Sequence, residues 1–349
     1  MPSASASPVT PPIKVGVVGL GFMGATHLRA YLKNSQAEVV AVCGLNRVPL
    51  NGVLPGVAGN IQKADDVLLG SSVKVYRQIE ALLANPEIQL VDICTPTALH
   101  PHQTIAALNA GKHVLCEKPL ARTSAAAREI LKVAERSPGF LMPAMCMRFW
   151  PGWNSLKKVV ADNTYGKILG ARFSRLSAMP SWGGNATYSA ESDNGGALYD
   201  LHIHDNDFIN HLFGRPAGVF SRGTTSKEGM IEHVVTQYIY PNGLAVHAEG
   251  SWLLKQGFNM GFTVHCERAT LDFDSARGAS AMVITEQDQP PRAIELESTD
   301  GYINEISYFL GCISQNLAPK LVEAQDGLTA LEICEAEEKS IRTGQIANI

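Results

Sequence analysis

The segment Gly19-Leu20-Gly21-Phe22-Met23-Gly24 restricts the fold of this chain more than any other part of the sequence. An apolar run with the pattern of a buried strand, Ile13–Leu20, leads into it, and Ala25–Lys33 carries apolar residues at helical spacing after it. In such a unit the first glycine permits a tight turn, the second lets main chain approach a pyrophosphate, and the third lets helix pack on strand. The phosphates then lie at the helix amino terminus, where free N–H groups favour anions. The motif predicts a dinucleotide site formed by Gly19, Gly21, Phe22, Met23 and Gly24. A plain structural turn is the alternative.

Alternating strands and helices continue to about residue 148. Further strands are expected at Val39–Gly44, Leu90–Thr95, His113–Glu117 and Phe140–Met147, with helices over 76–84, 101–110 and 123–136. Repeated strand, helix and strand predict a doubly wound parallel sheet with right-handed crossovers, in an α/β fold. We therefore expect a Rossmann domain over 13–148, preceded by a mobile tail over 1–12.

The rhythm changes over residues 149–349. One helix is followed by strand-like runs at 168–178, 217–225, 232–240, 244–252, 259–266 and 280–286. Pro241-Asn242-Gly243 supplies turn chemistry between two of them, which favours an antiparallel meander in an α+β domain. The terminal stretch Asp326–Thr343 has helical periodicity and ends at Gly344, a residue type typical of a helix C-cap.

Composition excludes several classes of partner. With 349 residues, 45% hydrophobic and 18% charged, the chain can bury two cores, and its net charge of −4 offers no basic surface for nucleic acid or anionic membranes. No apolar run reaches the ~18 residues that span a bilayer. The seven cysteines are scattered without a CxxC pair, and the first residues lack the parts of a signal peptide. These features predict a cytoplasmic enzyme with reduced thiols.

The end of the second strand bears on the choice of cofactor. An Asp or Glu there would bind the adenosine ribose, but this chain has Gly44, followed by Leu45, Asn46 and Arg47. Without the carboxylate a 2′-phosphate is not repelled, and Asn46 and Arg47 could bind it. The sequence therefore favours NADP. The alternative is that NAD binds without the acid and Arg47 is a solvated loop residue.

Several motifs together resemble one known family. They are Ala110-Gly111-Lys112-His113-Val114-Leu115-Cys116-Glu117-Lys118-Pro119-Leu120, preceded by Cys94-Thr95-Pro96 and His100, then Gly195-Gly196-Ala197-Leu198-Tyr199-Asp200 with His204, and the closing Asp326-Gly327-Leu328. This set is similar to the signature of the glucose-fructose oxidoreductase/inositol dehydrogenase/MocA family and covers nearly the whole chain.

The resemblance implies a second domain built on an open, largely antiparallel sheet that often mediates oligomers, so a homodimer or homotetramer is expected. It also implies that Thr95, Pro96, His100, Glu117 and Lys118 lie at the cofactor. Arg148 stands where the family frequently places a cofactor-proximal residue, and a salt-bridged arginine at the domain junction is the competing interpretation.

The residues of these motifs suit alcohol oxidation. The reaction needs a base for the hydroxyl proton and a group that stabilises the developing oxyanion. Lys118 follows a buried strand, so its ammonium could reach the nicotinamide and the reacting oxygen. Asp200 and His204 are four residues apart and share a face if helical, so Asp200 could orient His204 as general base. The resemblance makes these three the catalytic and substrate-binding Lys, Asp and His. A surface lysine and a charged helix face are the alternatives.

Two further features are less specific. His202-Ile203-His204 has the spacing of a metal-binding pair only on a strand, and its apolar neighbours favour a helix, so no metal is expected and His202 should pack against the sheet. Trp182 and Tyr188 lie in a loop-like segment and could stack on a sugar ring; a core or interface position is equally open.

Three functions remain possible from the sequence. The leading one is an NAD(P)-dependent oxidoreductase that moves a hydride at a carbinol or ketone carbon of a sugar or polyol. Some relatives are hydrolases that oxidise a sugar transiently, and a few proteins of this fold are non-catalytic dinucleotide sensors. Lys118, Asp200 and His204 occur together here, which argues against a sensor, since a sensor does not need all three.

Overall fold

The computed structural model describes residues 11–57, 59, 65–180, 195–227 and 229–349. The first part of the chain forms a six-stranded sheet in the order β5-β2-β1-β6-β7-β8, and every neighbouring pair in it is parallel. A separate two-stranded ribbon joins β3 and β4. The strands are β1 (Ile13–Val18), β2 (Ala37–Cys43), β3 (Val53–Leu54), β4 (Val67–Leu68), β5 (Lys74–Tyr76), β6 (Leu90–Ile93), β7 (His113–Glu117) and β8 (Leu141–Ala144).

Helices connect these strands in the way that parallel pairing requires. They are α1 (Phe22–Leu32), α2 (Ile79–Leu83), α3 (His100–Asn109) and α4 (Ser124–Ala134). The Thr123 side chain caps α4 by accepting a hydrogen bond from the Ala126 N–H at 3.2 Å. The strand order reverses between β1 and β6, and in such sheets the crevice at the carboxyl ends of these strands is where ligands bind. The predicted Rossmann sheet is confirmed.

The second sheet is mostly antiparallel, as expected. It runs β15-β14-β13-β12-β11-β10-β16, and β9 also pairs with β12. Its strands are β9 (Ile168–Ala178), β10 (Gly218–Thr225), β11 (Ile231–Ile239), β12 (Ala245–Cys266), β13 (Ala269–Asp274), β14 (Met282–Glu286), β15 (Arg292–Ile294) and β16 (Ala347–Asn348).

Strand β12 differs from the prediction, because the runs expected at 244–252 and 259–266 are one continuous element. Phe173 of β9 lies opposite Ala248 in the first half of β12 and opposite Phe262 in the second half. Strand β9 therefore lies between the two halves. All three side chains are buried in the core of this sheet.

The second part of the chain contributes the α-helices α5 (Pro151–Ala161), α6 (Ile203–Phe213), α7 (Gly301–Ser314) and α8 (Ala324–Thr343). Helix α8 ends at Gly344 in the left-handed conformation, with φ 71°, as predicted. Helix α7 was not predicted, although Tyr302, Ile306 and Phe309 show its helical spacing. It packs on α1, and its apolar side chains join the core around the first sheet.

Alternation along the second sheet leaves one face exposed. Phe173 and Val234 point into the core, whereas Arg172, Val235 and His247 are exposed. The expected homodimer or homotetramer stays a prediction, as does the domain boundary at 148. No helix among the described residues is long and apolar enough to cross a membrane.

Arg148 joins three distant parts of the chain. Its guanidinium donates to both carboxylate oxygens of Asp207 on α6, at 2.6 and 2.9 Å, and also to Asp326 on α8 at 3.0 Å and the Leu321 carbonyl at 2.8 Å. The side chains of Arg148 and Asp207 are only 3% and 1% exposed. These contacts are those of a salt-bridged arginine, because its guanidinium is engaged by two carboxylates. The expected position of Arg148 near the cofactor stays a prediction.

Replacing Arg148 with Met should lower the free energy of unfolding by about 3–5 kcal/mol, because it leaves the Asp207 carboxylate buried without its partner. Guanidinium denaturation measures the loss. The matched control is Arg292→Met, which breaks an exposed pair with Glu286 and should cost less than about 1 kcal/mol. Equal effects of the two substitutions would show that Arg148 does not hold the junction.

Candidate active site

The glycine-rich turn has the geometry that a dinucleotide needs. A Cβ at Gly19, where φ is +90°, would lie 2.5 Å from the Cys94 carbonyl oxygen, and one at Gly24 would lie 1.9 Å from the Gly19 carbonyl oxygen. A Cβ at Gly21 would meet nothing within 4 Å. The first and third glycines are thus required by packing, whereas the second borders open space at the start of α1. A pyrophosphate fits there against free main-chain N–H groups.

Phe22 and Met23 follow this turn on α1. Phe22 is buried against Gly59, between β3 and β4, since a Cβ at Gly59 would lie 2.2 Å from its ring, and Met23 is partly buried. The cofactor contacts of Phe22 and Met23 stay a prediction.

The loop after β6 is tied to the turn after β7. The two ring nitrogens of His100 lie 2.7 Å from the Thr95 and Pro119 carbonyl oxygens, and the imidazole is buried. Burial lowers the pKa of His100, so the ring is neutral and donates one hydrogen bond at a time. His100 holds together the two segments that contain Thr95, Pro96 and Lys118; its own contact with a cofactor stays a prediction.

Lys118 and Asp200 meet across the two halves of the chain. The Lys118 Nζ donates to the Asp200 carboxylate at 2.9 Å and to the Asp200 carbonyl at 2.7 Å. Lys118 is 13% exposed and Asp200 29%, so the pair borders the crevice at the edge of the sheet. Burial alone would lower the pKa of Lys118, but the carboxylates of Asp200 and Glu117 outweigh it and raise that pKa. Lys118 is an ammonium group at neutral pH.

His204 lies near this pair and carries no charge. Its pKa is well below the usual value because of burial and because Lys118 and Arg175 repel a further positive charge. The ring is partly buried, and among the described residues its Nδ1 has no hydrogen-bond partner. A neutral imidazole beside an ammonium group is a proton acceptor paired with a hydrogen-bond donor.

The pairing expected between Asp200 and His204 is wrong, since Asp200 binds Lys118 instead. The cause is local: Leu198–His202 forms a π-helical turn before α6, so residues four apart across it do not stack as in an α-helix. The ammonium group of Lys118 then attracts the Asp200 carboxylate.

His202 points away from His204, as expected from the helix. His202 packs against the second sheet, because a Cβ built at Gly250 would lie 2.6 Å from the His202 Cβ. The His202 Nε2 lies 3.1 Å from Glu337. Burial lowers the pKa of His202, but Glu337 outweighs this effect and raises it. The two rings do not converge on a common point, and the absence of a metal stays a prediction.

The other predicted residues are placed as follows. Gly44 and Arg47 lie at the carboxyl end of β2, with Asn46 exposed between them. Trp182 and Tyr188 fall outside the described residues.

Two buried ion clusters were not predicted. His27 on α1 lies between Asp92 and Glu117, and Arg175 on β9 donates to Asp205 at 2.9 and 3.0 Å. Asp92 stands inside the buried strand Leu90–Ile93, and an acid in such a strand signals that a partner must be buried with it. The sequence does not reveal which partner.

Comparison with known proteins identifies the family. Residues 13–145 match the oxidoreductase family with an NAD-binding Rossmann fold, and residues 153–272 match the GFO/IDH/MocA C-terminal domain. The chain belongs to the Gfo/Idh/MocA oxidoreductase family. It is accordingly an NAD(P)-dependent oxidoreductase that acts on CH–OH groups.

Relatives of this Gfo/Idh/MocA protein match along most of its length. It is 26% identical to an inositol 2-dehydrogenase of Rhizobium meliloti, over 94% of this chain and 97% of that protein. It is 25% identical to a 1,5-anhydro-D-fructose reductase of Ensifer adhaerens, over 79% and 84% of the two chains. A levoglucosan dehydrogenase in complex with NADH and levoglucosan has the same fold, with a TM-score of 0.80 at 21% identity over 97% of this chain and 99% of that one.

The two histidines of His202-Ile203-His204 should titrate on opposite sides of the usual histidine pKa. We expect His202 to gain its proton above pH ~6.5 and His204 only below it, because a carboxylate faces the first ring and two cations face the second. NMR titration of histidine-labelled protein measures both, and His204→Gln assigns the resonance. The reverse order would contradict the electrostatics described above.

Proposed function

We propose that this protein transfers a hydride between a nicotinamide cofactor, with NADP favoured, and a carbinol or ketone carbon of a sugar or polyol. The observation that carries the proposal is the cluster of Lys118, Asp200 and His204 at the carboxyl edge of the nucleotide-binding sheet. The names of the relatives support the substrate class, since they act on inositol, anhydrofructose and levoglucosan.

In this mechanism Lys118 binds the reacting oxygen. Its ammonium is held by Asp200 and is only slightly exposed, so it is oriented before the substrate arrives. As the alcohol loses its hydride, negative charge develops on the oxygen, and a fixed ammonium in a partly dry site stabilises that charge. The nicotinamide, when bound, supplies the hydride acceptor or donor.

His204 takes the hydroxyl proton in the oxidative direction and returns it in the reductive one. A base must be unprotonated to act, and the positive charges of Lys118 and Arg175 keep His204 neutral at physiological pH. The proton balance closes, because the alcohol gives one proton to the imidazole and one hydride to the cofactor.

The preference for NADP rests on Gly44 and Arg47. A Cβ at Gly44 would lie 2.1 Å from the Arg47 carbonyl oxygen, so the loop has no room for the ribose-binding acid. In the described part of the chain the Arg47 Nε and Nη2 are buried without an acceptor, and burial together with Arg29 lowers the Arg47 pKa. Unpaired buried donors beside a second arginine are suited to a phosphate.

The catalytic assignment is tested by absorbance at 340 nm, in a screen of sugars and polyols with either cofactor. Lys118→Ala and His204→Ala should each lower kcat by about 10²- to 10⁴-fold, because each removes a group that acts on the reacting oxygen or its proton. Cofactor affinity should stay close to that of the unmodified protein. His211→Ala, two turns further along the same helix, is the matched control and should keep its activity.

Full activity of both variants would refute the catalytic roles. Tight cofactor binding by the unmodified protein without net reduction of any substrate would refute the dehydrogenase proposal and favour a transient-oxidation hydrolase or a sensor.

Arg47→Ala should weaken NADP⁺ binding by about 10- to 100-fold, the loss expected when a charge-assisted hydrogen bond is removed. Affinity for NAD⁺ should change little, since it has no 2′-phosphate. Calorimetric titration with both cofactors measures the difference, and Arg136→Ala, an exposed arginine on another surface, is the control. Equal losses for both cofactors would refute the 2′-phosphate role.

A further inference from the structure

A buried imidazole lies directly behind the proposed catalytic lysine. His27 belongs to α1, three residues after the last glycine of the nucleotide motif. Its Nδ1 lies 2.8 Å from Asp92 of β6, and its Nε2 lies 3.2 Å from Glu117 of β7. The His27 and Asp92 side chains are fully buried and that of Glu117 is 7% exposed, so the ring is held between two acids in the protein interior.

The charge of this imidazole follows from its position. Burial alone would lower the pKa of His27, but the Asp92 carboxylate at hydrogen-bond distance outweighs it, and the net result is a pKa well above the usual value. A protonated ring donates its Nδ1–H to Asp92 at 2.8 Å, while Glu117 lies 3.2 Å from Nε2 as an ion pair without hydrogen-bond geometry. His27 is therefore an imidazolium at neutral pH.

Glu117 links this cation to the active site. One oxygen of its carboxylate faces His27, and the other accepts a hydrogen bond from the main-chain N–H of Lys118 at 3.0 Å. Lys118 in turn binds Asp200. Charges of alternating sign thus run from Asp92 through His27, Glu117 and Lys118 to Asp200.

Other titratable groups surround both ends of this series. Those that face His27 from β6, α1 and α7 are Cys94, Tyr31, Tyr302 and Glu305. Burial raises the pKa of the Glu305 carboxyl far above its usual value, so it adds no negative charge there at neutral pH. Those near Lys118, besides Asp200 and Glu117, are Cys146, His100 and His204.

We propose that His27 is a positioning residue for the reaction: its imidazolium holds the Glu117 carboxylate in place, and Glu117 in turn keeps Lys118 oriented and charged at the reacting oxygen. The inference rests on the proposed role of Lys118. The His27 side chain is fully buried on the side of α1 that faces the sheet, so it touches neither substrate nor cofactor.

Removing the imidazolium has a defined consequence. Glu117 would lose the cation that holds its carboxylate, and repulsion from Asp92 would displace it from its place beside Lys118. A displaced Glu117 no longer raises the pKa of Lys118. Lys118 would then lose its proton at a lower pH, and the alkaline limb of the pH–rate profile would move to lower pH.

The experiment compares pH profiles of kcat for the unmodified protein, His27→Gln and Glu117→Gln. Both variants should move the alkaline limb down by about one pH unit or more, the shift expected when a nearby opposite charge is lost. kcat should fall about tenfold, with a smaller change in the cofactor KM. Since His27 acts through Glu117, the double variant should show the same limb as Glu117→Gln alone.

The matched control is His113→Gln. His113 stands at the other end of β7 and accepts a hydrogen bond from the Phe140 N–H at 3.0 Å, so its loss disturbs the same strand without touching the charge series. Its alkaline limb should stay in place. If His113→Gln moves the limb as far as His27→Gln does, a general loss of structure explains both and the inference fails.

A second readout requires no substitution. Nitrogen-15 NMR of histidine-labelled protein should show both His27 nitrogens protonated at pH 8, and a neutral ring at that pH would overturn the inference. The two proposals fail separately. If Lys118→Ala is active, the proposed function is refuted. If Lys118→Ala is inactive but His27→Gln leaves the alkaline limb of the pH–rate profile in place, only the role of His27 is refuted.

Discussion

Buried charge at the carboxyl edge of the first sheet must be neutralised, and much of the architecture follows from that constraint. Lys118 and Arg148 both emerge at this edge, after β7 and β8, and each is only slightly exposed. The carboxylates that form hydrogen bonds with these two side chains come from the second part of the chain. Asp200 belongs to the π turn at Leu198–His202, and Asp207 belongs to α6. An unpaired charge there would cost several kcal/mol, so this helix and the sheet edge are held together.

The same constraint shapes the chemistry. Lys118 is an ammonium group because acids surround it, and His204 is neutral because cations surround it. The surroundings thereby widen the ordinary difference between the pKa values of lysine and histidine, so a charged ammonium group and a neutral imidazole coexist within one crevice. A donor and an acceptor of protons then coexist at neutral pH, which is what exchange between an alcohol and a ketone requires.

Local structure also serves the site. The π turn at Leu198–His202 brings Asp200 to Lys118, whereas a regular helix would have stacked it over His204. Such turns are rare and occur frequently at functional sites. His202, one residue before α6, packs on Gly250 and so anchors the turn to the second sheet.

The sequence by itself determined the Rossmann sheet, the antiparallel second sheet, the terminal helix and the residue types of the site, because periodicity, glycine turns and motifs are local signals. It did not determine that α7 would pack on α1 or that β12 would be continuous. Only the tertiary structure decided the partners of the charges: Asp200 with Lys118, Arg148 with Asp207, and His27 between two acids. The physical reason is that a charge pair depends on distance in space and on burial, and neither is encoded in the spacing of residues along the chain.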